Sequence, residues 1–134
     1  MVGIVLIAHE PLASALAASG VHVYACAPDV AEAQLAVLDV PPNMDVQALR
    51  VQAQNLVAQV NRGGGVLILT DVIGATPCNV ASQLIADDHV AVVSGVNLPM
   101  LLRVLCYRRD NLAEVVQKAL EGGMQGVVNV TPNL

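Results

Sequence analysis

Val2 to Ala8 is an apolar run rich in β-branched residues and broken only by Gly3, the pattern of a strand buried on both faces of a parallel sheet. Leu12, Ala13, Leu16, Ala17 and then Val23 follow at helical spacing. Gly20 weakens the middle of that helix and Pro28 must end it. Gln34 to Val40 alternates and meets Pro41 and Pro42, as a second strand would. From Asp45, the positions Val46, Leu49, Ala53, Leu56, Val57 and Val60 mark one helical face, and Gly63 to Gly65 stop it. Val66 to Leu69 and Val90 to Val93 read as two further buried strands.

Helix starts are marked by short polar signals. Thr76 followed by Pro77 predicts a side-chain oxygen at the N-cap with proline in the first turn, after which Val80, Ala81, Leu84 and Ile85 face the core. A helix through about Leu105 follows Pro99. Asn111 with Glu114 resembles a capping box ahead of a last helix that Gly122 and Gly123 are expected to end. Gly126 to Val130 is then left as a terminal strand.

Strands alternating with helices of this length predict an α/β fold, a doubly wound and mostly parallel sheet. With no linker, repeat or low-complexity stretch, residues 1–134 read as one domain. In such sheets ligands bind beyond the carboxyl ends of the strands. His9, Asp71 and Asn97 all follow strand ends, so topology alone would bring these chain-distant residues to one edge.

A phosphoryl group arriving there needs a nucleophile, a group holding it in the right protonation state, and donors for three oxygens. His9 offers an imidazole nitrogen, and Asp71 could fix its tautomer and stabilise the cation left after phosphorylation. Thr70, Gly74 and Thr76 surround the expected start of the third helix, where unpaired amides attract anions. Taken singly, a histidine after a strand, an aspartate in a turn and a Thr-Pro cap are each more often structural. Their joint placement favours chemistry.

Composition narrows the alternatives. Of 134 residues, 55 % are hydrophobic and 13 % charged, which excludes disorder. The absence of Trp and Phe, with only Tyr24 and Tyr107, leaves little for stacking a flavin or bases. A formal charge of -5 argues against nucleic acid. Cys26, Cys78 and Cys106 form no close pair, so neither a disulfide framework nor a zinc site is signalled, and a reducing compartment fits. The first Lys or Arg is Arg50, so a secretory signal's basic region is missing and a cytoplasmic location is expected, without membrane insertion. No metal and no cofactor are expected. Asp87, Asp88 and His89 read as a solvated loop. Gly63 to Gly65 precede their strand and lack the G-K-[ST] of a P-loop.

Three stretches carry a resemblance: I-A-H at 7–9, G-G-G-V-L-I-L-T-D-V-I-G-A-T-P-C-N-V-A-S at 63–82, and G-V-N-L-P-M-L-L at 95–102. Together they resemble the enzyme IIA domain of the mannose family of the bacterial phosphotransferase system, over almost the whole chain and most weakly between Gly20 and Asp45. The resemblance implies a phosphohistidine carrier that accepts its phosphoryl group from the phosphocarrier HPr and passes it to a IIB protein in sugar uptake. It implies four parallel strands and a C-terminal antiparallel strand exchanged in a homodimer. His9 matches the phosphorylated histidine, Asp71 its carboxylate partner, Thr76 a hydroxyl beside the phosphate, and Gly95 to Pro99, with Asn97, the loop lining the site. Glu10 stands where a glycine is common, and Ala75 replaces the second glycine of a common G-G-[ST]-P.

Three other readings stay open. A regulatory switch would use the same His9 chemistry without a transport role. A receiver-like domain phosphorylated on Asp71 would need an acidic metal cluster that the sequence lacks. A Cys78 and His9 nucleophile pair is weighed against Cys78 as a small buried residue.

Overall fold

The computed structural model describes residues 1–24, 31–85 and 89–134, so Cys26, Pro28, Asp87 and Asp88 lie outside the described residues. Its elements in chain order are β1 (Gly3–His9), α1 (Leu12–Val23), β2 (Leu35–Val40), α2 (Val46–Val60), β3 (Val66–Thr70), α3 (Thr76–Ser82), β4 (Val90–Ser94), α4 (Leu98–Tyr107) and α5 (Leu112–Gln125). The four strands form one parallel sheet ordered β2-β1-β3-β4. Chain order therefore reverses between β1 and β3, the switch point at which sheets of this class leave a crevice.

Alternation along β1 divides the core in two. Val2, Ile4, Leu6 and Ala8 pack with Ala13 of α1, Leu101 and Val104 of α4, and Val115 and Ala119 of α5. Val5 and Ile7 point the other way, against Leu49 and Ala53 of α2 and Val80 and Ala81 of α3. A side-chain period of two in a strand covered on both sides is what makes an all-apolar run stable there.

Side chains cap three helices, only that at Asn111 being predicted from the sequence. Asp45 accepts from the Gln47 and Ala48 amides, Asn97 from Met100 and Asn111 from Glu114, each satisfying amides that a helix start leaves unpaired. At α3 the expectation fails by one residue: Ala75 occupies the N-cap, no side chain caps it, and Thr76 is the first helical residue with Pro77 beside it. Ile85, expected in the core, is exposed because α3 ends at Ser82.

The expected fifth strand is absent, which corrects the predicted sheet. Among the described residues, 126–134 join no strand, and Val127, Val128 and Val130 are left exposed, the last at 86 %. The helix before this segment also runs on past the glycines expected to stop it. A Cβ on Gly122 would come 2.6 Å from Arg103 Cβ, one on Gly123 2.7 Å from Met100 Cε, and one on Gly126 2.3 Å from Pro99 Cβ. These glycines let α5 lie tightly against α4, so the helix continues to Gln125. An extended segment without a neighbouring strand gains no ladder hydrogen bonds.

Candidate functional site

His9 is the last residue of β1 and shares the face of Val5 and Ile7, turned toward α2 and α3. Its Nδ1 lies 2.7 Å from Asp71 Oδ2, and its backbone N–H donates to the same oxygen at 3.0 Å. The Val72 amide donates to Asp71 Oδ1 at 2.9 Å. Burial works to raise the Asp71 carboxyl, but bonds from the His9 backbone, the His9 ring and the Val72 amide, together with imidazolium charge, hold it below its ordinary value. An ionised carboxylate only accepts, so the proton of a neutral His9 ring sits on Nδ1 and the lone pair on Nε2. The Asp71 side chain is 7 % exposed and that of His9 54 %. The imidazole is thus the reachable partner of the two, which disfavours Asp71 as a phosphoacceptor.

The ring opens on a cavity of 320 Å³ lined by His9, Val40, Pro41, Pro42, Asn43, Met44, Val46 and Thr76. Asp71 borders a second opening on its other side, with Val72, Ile73, Ser94 and Gly95. Among the described residues, neither lining includes Lys or Arg. A larger cleft of 480 Å³ between α1 and β2 is lined by alanines, Val21, Glu32, Leu35 and Val37, and holds no side chain suited to carrying a phosphoryl group.

The other predicted residues are placed unequally. Thr76 is exposed and shares the His9 cavity. Gly74, with φ of +85°, turns the chain just before α3, and a Cβ there would meet open space, so the position asks for glycine through its backbone angle and not through crowding. Thr70 is fully buried, and its Oγ1, like Ser94 Oγ in the register position beside it, has no hydrogen-bond partner among the described residues. Asn97 is committed to helix ends: its Oδ1 caps α4, and its Nδ2 donates to the Gly123 carbonyl at 3.0 Å. It is not brought to the His9 cavity. Glu10 is exposed, held through its backbone N–H on the Val40 carbonyl, with no ion pair among the described residues. Cys78 is buried on α3 and is no nucleophile at this edge. Among the described residues no cluster of His, Cys, Asp and Glu suits a metal ion.

Sequence reasoning missed two features here. The Pro41-Pro42-Asn43 segment was read as a strand end and proves to be a wall of the cavity; its place directly after β2, the neighbour of β1, was the available signal. Asp39 reaches across to α1, where its Oδ1 accepts from the Ser14 amide at 3.0 Å and its Oδ2 from the Ser14 hydroxyl. No sequence pattern marks that pairing.

Comparison with known proteins bears on this arrangement. The family model EIIA-man, described as PTS system fructose IIA component, matches residues 3–120. The mannose-specific EIIAB component of Escherichia coli K12 is 36 % identical over 93 residues, which is 67 % of this chain but 29 % of that protein, so the chain spans less than a third of that relative's length. A phosphotransferase-system EIIA structure from Streptococcus agalactiae superimposes with a TM-score of 0.81 at 26 % identity, covering 96 % of this chain and 97 % of that one. The mannose/sorbose specific IIA subunit from Enterococcus faecalis shares the fold, with a TM-score of 0.85 at 21 % identity over 99 % and 98 % of the two chains. The chain belongs to the EIIA-man family of phosphotransferase-system IIA components and is a phosphoryl-carrier domain of the EIIA type.

Proposed function

We propose that His9 Nε2 accepts a phosphoryl group from phosphorylated HPr and delivers it to a IIB protein in sugar uptake. One observation carries the reading: the 2.7 Å contact between His9 Nδ1 and Asp71, which assigns the proton to Nδ1 and leaves Nε2 nucleophilic. In the transfer a bond forms from Nε2 to phosphorus while the donor's own bond to phosphorus breaks and its electron pair returns to the donor. The His9 ring becomes an imidazolium with Nδ1–H retained, and the Asp71 carboxylate beside it offsets that charge.

The Thr76 hydroxyl, in the same cavity, would donate to a phosphoryl oxygen. Gly74 would aim the chain entering α3 at the same group, Thr70 would support it from within the sheet, and Asn97 would act at a distance by holding the loop that begins at Gly95. Among the described residues neither opening holds a Lys or Arg to grip the bound anion. Weak ground-state binding suits a carrier that must give its cargo up.

The cytoplasm is the proposed location; among the described residues no helix is long and apolar enough to cross a membrane. A second copy of the chain is a further proposed partner, supported by the exposed apolar side chains of Val127, Val128 and Val130. Incubation with phosphorylated HPr should give an acid-labile, base-stable adduct on the wild type and none on His9→Gln. Label kept by the variant would overturn the assignment. Subsequent loss of label to a IIB protein would establish the relay; retention against every IIB tried would make the chain a regulatory switch using the same chemistry.

A further inference from the structure

The helix that follows the proposed acceptor most closely is α1, which begins at Leu12, three residues beyond His9. It has 12 residues, and its own N-cap, Pro11, makes no side-chain bond. A bare helix start with its dipole would be a strong attractor of anions so near the imidazole. The structure fills it from another strand. Asp39 of β2 takes both the amide and the hydroxyl of Ser14. Asp39 pairs in register with Ala8 and Val40 with His9. Alternation then sends Val40 to the cavity wall and Asp39 to the α1 side. Adjacent residues thus do different work: Val40 lines the His9 cavity and Asp39 caps the helix that follows His9.

We propose that Asp39 is a positioning residue for phosphoryl transfer: it closes the start of α1 to anions and ties the turn after His9 to β2, favouring the cavity beside Thr76 for the phosphoryl group. This rests on His9 being the acceptor. The charged side chains next to His9, Asp71 and Glu10, are also acidic, so loss of Asp39 would leave the α1 start as a second uncapped helix start competing with that of α3.

Amide NMR of the full chain during titration with inorganic phosphate tests the closure directly. In the wild type the amides of Leu12, Ala13 and Ser14 should not respond; in Asp39→Ala they should shift and saturate. The rate of label uptake from phosphorylated HPr should fall about ten-fold in Asp39→Ala, in kcat with KM for HPr unchanged, since a displaced anion is lost productive geometry and not lost docking. Asp39→Asn, which keeps an acceptor for the Ser14 amide without the charge, should recover part of the rate and still admit phosphate. It carries the same test should Asp39→Ala not fold. Amides of α1 that ignore phosphate in the folded variant, or an uptake rate equal to the wild type, would overturn the inference. If the wild type itself takes no label on His9, it is the proposed carrier function that fails, because the phosphate titration reads α1 without any transfer step.

Discussion

Arg108 and His9 lie at opposite ends of the same sheet. Arg108, at the close of α4, is 1 % exposed and reaches the amino-terminal end of the strands, where its Nε donates to the Val2 carbonyl and its Nη2 to the Gln34 carbonyl. Its backbone carbonyl receives the Val2 amide at 2.7 Å. Burial lowers its guanidinium to about 10, well above physiological pH, so it stays charged. Gly3 sits so close to the Val60 carbonyl that a Cβ would come within 2.5 Å of the oxygen. At the carboxyl end His9 is instead half open, although Asp71 beside it is buried, and Gly74 meets empty space. One end of the sheet is closed around a buried cation; the other stays accessible because the reversal of strand order between β1 and β3 parts the connections there. Rigidity at the first end holds the geometry that the second can use.

Substitutions at the two ends should therefore fail in different ways. The largest effect expected is in His9→Gln, with no label taken from phosphorylated HPr and only a small fall in thermal midpoint, since the ring is half exposed but bonds to Asp71. Arg108→Ala should do the reverse. It leaves the Val2 and Gln34 carbonyls short of a donor and should cost about 3 kcal/mol by urea unfolding, while each folded molecule still takes up label.

Asp71→Asn should slow uptake about 100-fold without abolishing it, as expected when an orienting carboxylate is lost. It also has a pH signature. The folded Asp71 carboxyl lies below its ordinary value, so its contribution to stability is complete above about pH 4, where the unfolded carboxyl is ionised. That contribution disappears as pH falls through the lower folded value. The gap in unfolding midpoint between wild type and Asp71→Asn should accordingly be constant at neutral pH and close in acid.

Glycine gives the smallest and sharpest contrast. Gly3→Ala must displace backbone and should cost about 2 kcal/mol. Gly74→Ala meets no atom and should cost about 1 kcal/mol, from the positive φ alone. Equal costs would mean that the two ends are not packed differently.

Much of this was legible in the chain. The apolar runs of β1 and β3 announced strands covered on both faces, and the helix cap at Asn111 stands where the polar signal put it. The His9–Asp71 contact was legible where it depends on strand ends: His9 closes β1, Asp71 directly follows β3, and neighbouring parallel strands bring them within hydrogen-bond distance. The site was not legible at Thr70, whose hydroxyl turns inward, or at Asn97, whose amide is taken up by α4 and Gly123. Spacing places a residue at an edge but does not say which way a turn will face it.

The local order of strands and helices, and the presence of an imidazole and a carboxylate at two strand ends, are properties of the sequence, because periodicity and chain punctuation act over a few residues. The tertiary structure alone decided that Gly122 and Gly123 carry α5 across α4 in place of ending it, that residues 126–134 find no strand to join, and that Asp39 closes the start of α1. Each of these turns on contact between segments far apart in the chain, and such contacts form only once the layers are packed.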